Sequence, residues 1–171
     1  MCLSDIWKKY GFWKRMTTPS AELSGTGYKI FELNDDGTFS PSVRGFRRTM
    51  KLNKWIHERK VSGRTFGVNG YIGAGDFRYK KGFHVLDDKK SVNSYLIYNG
   101  IEDNNVLVKV KWKTPTTKGA QNGNAGVIVT KKIKPVEIIL NPKQLRAHLE
   151  ILRGIRYNDS EAAAKEYMFE D

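Results

Sequence analysis

Hydrophobic and polar residues alternate most cleanly over Val106–Lys113, VLVKVKWK, where Val106, Val108, Val110 and Trp112 take one face and Lys109, Lys111 and Lys113 the other. A period of two marks a strand buried on one side. The segment therefore predicts a strand in a largely antiparallel sheet with one wet, cationic face, and its lysines discourage edge pairing with other molecules. Tyr28–Leu33 alternates in the same way and runs into Asn34-Asp35-Asp36-Gly37, a turn signal that returns the chain through Thr38–Phe46, with Pro41 at an edge or a break. Val127–Val129 and Ile133–Leu140 read as two further strand pieces, bent or broken at Pro135.

Helical spacing appears elsewhere. Asp76–Leu96 holds a strand, a tight turn at Gly82, a second strand and then Asp87-Asp88, a pair suited to cap a helix with Val92, Tyr95 and Leu96 on one face. Asn141-Pro142-Lys143-Gln144 has Asn at the cap, Pro at the first helical position and Gln three residues after the cap. It opens a stripe of Leu145, His148, Leu149, Ile151, Leu152 and Ile155, interrupted at Gly154 and Asn158, before Asp159-Ser160-Glu161 starts a last helix through Phe169. Ser4–Met16 reads as a helix with Ile6, Trp7, Tyr10 and Trp13 along one side, weakened at Gly11. Thr17–Thr26 reads as a linker, and Thr114–Gly126 as a long polar loop.

These elements predict an α+β fold: a single domain with a mainly antiparallel twisted sheet, one internal helix and a helical C-terminus. Residues 1–26 form an aromatic and basic arm with its linker, 27–140 the core domain, and 141–171 a C-terminal helical extension.

Charge narrows the choice of partner. Thirty Lys and Arg against 18 Asp and Glu give a formal net charge of +12, which favours nucleic acid or an acidic protein surface. The most basic stretch is Arg44–Arg64, where Arg44, Arg47, Arg48, Lys51 and Lys54 lead a series interrupted by one acid, Glu58. These five, with Lys109, Lys111 and Lys113, are the candidate anion-binding residues. Trp7, Tyr10 and Trp13 are the candidates for docking on a partner. Cys2 is the single cysteine, so neither a disulfide framework nor a cysteine-built zinc site is expected. No apolar run approaches the roughly 18 residues of a membrane span, and Lys8 and Lys9 interrupt the N-terminal apolar residues, so neither a span nor a secretory signal is expected.

Catalytic chemistry has little to stand on. His57, His84 and His148 show no metal-ligand spacing, and no Ser or Cys sits in a nucleophile motif. Gly63–Gly75 is rich in glycine, yet it leads into the strand-like Asp76-Phe77-Arg78-Tyr79 and not into a helix, which favours a hairpin loop over a phosphate cradle. No metal or cofactor is expected, and a nonenzymatic role is favoured over an enzyme.

Tyr28-Lys29-Ile30-Phe31, Gly82-Phe83-His84-Val85 followed by a helix with Val92 and Tyr95, Val106–Lys111, and Lys132-Ile133-Lys134-Pro135-Val136 occur in an order that resembles small proteins encoded by tailed bacteriophages and their hosts. The resemblance covers Tyr28–Leu140. It implies a phage-type accessory or virion-associated protein, in the host cytoplasm or the virion, acting on nucleic acid or within a larger assembly. The same pattern is similar to ADP-ribosyltransferase-like folds, which implies Tyr28, His84 and Glu137 as catalytic candidates, although Glu137 lacks the Q/E-x-E setting of that family. A third expectation is an oligomerising structural component that buries Trp7, Trp13 and the terminal helices.

Overall fold

The computed structural model describes residues 3–10, 23–41, 49–58, 71–74, 77–80, 82–121, 124–158 and 160–170. Nine strands and three helices follow in order among them: β1 (Asp5–Lys9), β2 (Ser24–Leu33), β3 (Phe39–Pro41), β4 (Ile56–His57), β5 (Tyr71–Ala74), β6 (Phe77–Lys80), β7 (Phe83–Leu86), α1 (Lys89–Asn99), β8 (Asn105–Gln121), β9 (Ala125–Leu140), α2 (Pro142–Asn158) and α3 (Glu161–Glu166). Seven strands form one antiparallel sheet, and β5 and β6 pair as a separate hairpin. The fold is therefore α+β, as the alternation predicts. No helix among the described residues is long and apolar enough to cross a membrane.

The long β8–β9 hairpin is the frame. One side of β8 pairs with β9 along its length, and the other with β2 and then β1. The free side of β9 takes β7 and then β4. One backbone pairing, Tyr28 with Leu86, joins β2 to β7, so β8, β2, β7 and β9 form a closed circuit of pairing. That junction depends on Gly27, where a Cβ would sit 2.5 Å from the Leu86 carbonyl oxygen.

Alternation along β8 feeds two cores. Val106, Val108 and Val110 join Phe31, Phe39, Met50, Ile56, Val85 and Ile133 in one cluster. Leu107 faces the other way, into a cluster with Tyr28, Ile30, Val92, Leu96, Leu145, Leu149 and Leu152 beneath the helices. A fully buried leucine contributes about 1.5–3 kcal/mol, so the inner face of α2 fastens the helical layer to the sheet.

The predicted caps form as written. Asp88 Oδ1 accepts from the Ser91 amide at 2.7 Å. Asn141 and Gln144 exchange side-chain to backbone bonds at 2.9 and 3.0 Å, a reciprocal capping box. Ser160 caps α3 through the Ala163 amide, and that helix ends at Glu166, short of the expected Phe169. In the turn after β2, Gly37 takes φ 76° and its amide donates to Asn34 O at 2.9 Å. Gly154 does not interrupt α2, where nothing lies within 4 Å of its missing Cβ.

Asp87 ties the strand-to-helix junction to the frame. Its carboxylate accepts from Ser91 Oγ at 2.9 Å and pairs with Lys118 Nζ at 2.8 Å, while Ser91 Oγ accepts from the Gly126 amide at 2.9 Å. A Cβ at Gly126 would meet Asp87 Oδ1 at 2.4 Å. The expected turn at Gly82 does not join a pair of adjacent strands, because β6 pairs with β5 while β7 pairs with β9 and β2.

Further expectations are overturned. The linker expected over Thr17–Thr26 is already strand β2 from Ser24, paired there with β8. The expected helix over Ser4–Met16 is a strand at Asp5–Lys9; its remainder beyond Tyr10 lies outside the described residues. Pairing with Thr117–Ala120 of β8 overrides the helical spacing, and Gly119 permits it, since a Cβ there would lie 2.0 Å from Asp5 O. The expected loop over Thr114–Gly126 is strand up to Gln121 and again from Ala125. Buried positions there alternate as Pro115, Thr117 and Gly119, a period of two carried by residues with little hydrophobicity. Pro135 breaks nothing: β9 continues through it, with a register shift beside it that absorbs the missing amide donor.

Candidate nucleic-acid interface

Two K-x-K triplets, Lys111-Trp112-Lys113 on β8 and Lys132-Ile133-Lys134 on β9, face each other across the hairpin. Lys111 lies directly opposite Lys134, and Lys113 directly opposite Lys132. Their strand neighbours widen both rungs: Ser24 beside Lys113, Thr26 beside Lys111, and His57 beside Lys132. The intervening rung points to the opposite face, where Ile56 and Ile133 are buried and Trp112 packs against them. Gly25 makes room for that indole, since a Cβ would stand 2.5 Å from Trp112 Cζ2.

Trp55 borders this lattice. The residue is 36% exposed, and Lys113 Nζ and Lys134 Nζ lie 4.8 and 5.4 Å from its ring centroid. Such contacts hold two ammonium groups against an indole. None of Lys111, Lys113, Lys132 and Lys134 has an ion-pair partner among the described residues. Like charges directly opposite on a sheet are destabilising. The patch thus combines four amino groups, an aromatic ring and two exposed hydroxyl side chains, Ser24 and Thr26, a set suited to a polyanion.

The other expected anion contacts are dispersed. Lys51 and Lys54 are exposed on the segment leading to Trp55, Lys109 is half-buried, and Arg44, Arg47 and Arg48 lie outside the described residues. Among the docking candidates, Trp7 is 51% exposed on β1 and Tyr10 carries Lys8 Nζ over its ring at 4.9 Å; Trp13 lies outside the described residues. Linear spacing does not unite Lys132, Lys134 and Trp55 with the β8 lysines; cross-strand register does. The sequence signal of this union is the repeated K-x-K on both arms of one hairpin.

Tyr28 and His84 share one face of the sheet, since His84 is two residues from the Leu86 that pairs with Tyr28, whereas Glu137 lies apart on β9. The Tyr28 ring meets Phe169 edge-on at 5.5 Å within the core beneath the helices. Glu137 is exposed, opposite Lys109. His84 lies on β7, its carbonyl accepting from Lys29 Nζ at 2.9 Å. Burial lowers the Lys29 ammonium to about 8, and burial together with the Lys29 charge lowers the His84 imidazole to about 3. A neutral imidazole of such weak basicity makes a poor general base at neutral pH. His148 is buried, with Nε2 2.7 Å from Asn93 Oδ1 and its ring stacked on Tyr167, which is a core role. His57 is exposed.

The chain matches no protein-family model, no curated protein and no solved structure.

Proposed function

We propose that the protein is a nonenzymatic accessory protein that binds nucleic acid through the phosphate backbone, with Lys111, Lys113, Lys132 and Lys134 as the central contacts. The observation that carries this reading is the pair of opposed lysine rungs without acidic partners among the described residues. An arrangement that costs stability in the free protein becomes favourable when phosphates neutralise it and displace counterions. The net charge of +12 supplies long-range attraction in the same sense. The resemblance to tailed-phage proteins supports a setting in an infected cell or a virion.

Fluorescence anisotropy with a labelled oligonucleotide tests the reading. Binding at low salt that weakens steeply as salt rises, and is lost in Lys111→Glu/Lys134→Glu, is the expected result. Absence of binding at low salt would end it. Exposed Trp7 on edge strand β1 supports a second reading, docking on a larger protein assembly; Trp7→Ala would then weaken assembly without altering oligonucleotide affinity.

A further inference from the structure

We infer that the preferred ligand is single-stranded nucleic acid, with one base stacking on Trp55 while adjacent phosphates sit on the lysine rungs. This rests on the phosphate-binding reading above. Residues two apart on a strand are about 6.6 Å apart and neighbouring strands about 4.8 Å, so the backbone footprint of the four lysines is only about 7 by 5 Å. A major groove is about 12 Å wide, so a footprint of this size falls short of it and matches the spacing of consecutive phosphates on one strand. What then separates a single strand from a duplex is access to a base face.

Trp55 supplies the complement to that face. It stands at the margin of the rungs, partly exposed, with Lys113 Nζ and Lys134 Nζ at 4.8 and 5.4 Å from its ring. Both ammonium groups belong to the phosphate-binding set. A phosphate drawing them toward itself leaves the indole face open beside the backbone it has just docked. An unpaired base attached to that phosphate can cover the ring, whereas a duplex keeps its base faces stacked internally. Stacking of this kind tolerates any base, because each has a π face, so the site reads strandedness and not sequence. Thr26 and Ser24 lie on the same face beside Lys111 and Lys113, where their hydroxyls can donate to phosphate oxygens.

Four probes of equal length separate the claims, titrated against the full chain at low salt: oligothymidylate, oligouridylate, an abasic strand of the same charge, and a duplex. The expected result is that either base-bearing strand binds about tenfold more tightly than the abasic strand, the strength typical of one stacked base, and more tightly than the duplex. Trp55→Ala should remove that advantage while leaving abasic-strand binding intact, and Trp55→Phe should restore most of it. A cooperative thermal melt of Trp55→Ala matching that of the wild type shows that the variant is folded. Equal affinity for base-bearing and abasic strands, unchanged in Trp55→Ala, would overturn stacking and leave backbone binding standing. Failure of all four probes to bind would overturn both.

Discussion

The same face of β8 meets two different surroundings within seven residues. At Leu107 it is fully buried beneath α2, where Leu145 and Leu149 complete the packing. At Lys111 and Lys113 it is exposed, and its partners on β9 are also lysines. The opposite face of β8 stays apolar throughout, from Val106 to Trp112, even though the pairing with β9 shifts register twice between the two ends. What changes is the neighbour: one end is designed around helices, and the other is left open with matched positive charge. The difference teaches that sheet alternation and sheet coverage are separate instructions, and that function is more readily sought where coverage stops.

The sharpest way to separate the two ends is to remove side chains from each. Leu149→Ala should lower unfolding free energy by about 2–5 kcal/mol in a denaturant titration, the range for a buried leucine, and Lys111→Gln should leave it almost unchanged. Equal losses would erase the distinction. A smaller loss, about 1–3 kcal/mol, is expected for Gly27→Ala, because a Cβ 2.5 Å from the Leu86 carbonyl forces β2 from β7.

Acid should act on the covered part of the molecule before the lysine lattice changes charge. His84 is held at about 3 by burial and the Lys29 charge, and His148 is lowered by burial. Below about 6.5, the ordinary histidine value, the unfolded chain binds more protons than the folded one, so stability falls with decreasing pH toward 3. Thermal melts between pH 7 and 4 should show that decline, reduced in His148→Gln. For Lys29, lowered to about 8, the contribution runs the same way: stability rises with pH between 8 and 10.5. The smallest effect is expected at the open end, where Lys134→Glu turns a repulsive rung with Lys111 into an attractive one. A gain of roughly 0.2–1 kcal/mol, together with weakened oligonucleotide binding, would show that the lattice is maintained against stability.

Much of this architecture is legible in the residues themselves. VLVKVKWK announces both the buried face and the lysine face of β8, and Asn141-Pro142-Lys143-Gln144 writes out its capping box. Legibility fails where structure is imposed from a distance. Thr114–Gln121 alternates through Pro, Thr and Gly, whose burial comes from β1 and β9 on either side and not from their own hydrophobicity. Asp5–Lys9 carries a helix-like spacing that edge pairing overrides. The candidate site was half visible for the same reason: each K-x-K triplet is local, but their opposition across the hairpin, and the placement of Trp55 over both, depend on register.

The most direct test of the lysine lattice is the salt dependence of single-strand binding by the wild type and by Lys111→Gln/Lys134→Gln. Four neutralised phosphates predict a log-log slope of about −2.8, at about 0.7 per contact on a single strand, and loss of two contacts predicts about −1.4. An unchanged slope in the double variant would contradict the assignment of these lysines as the phosphate contacts.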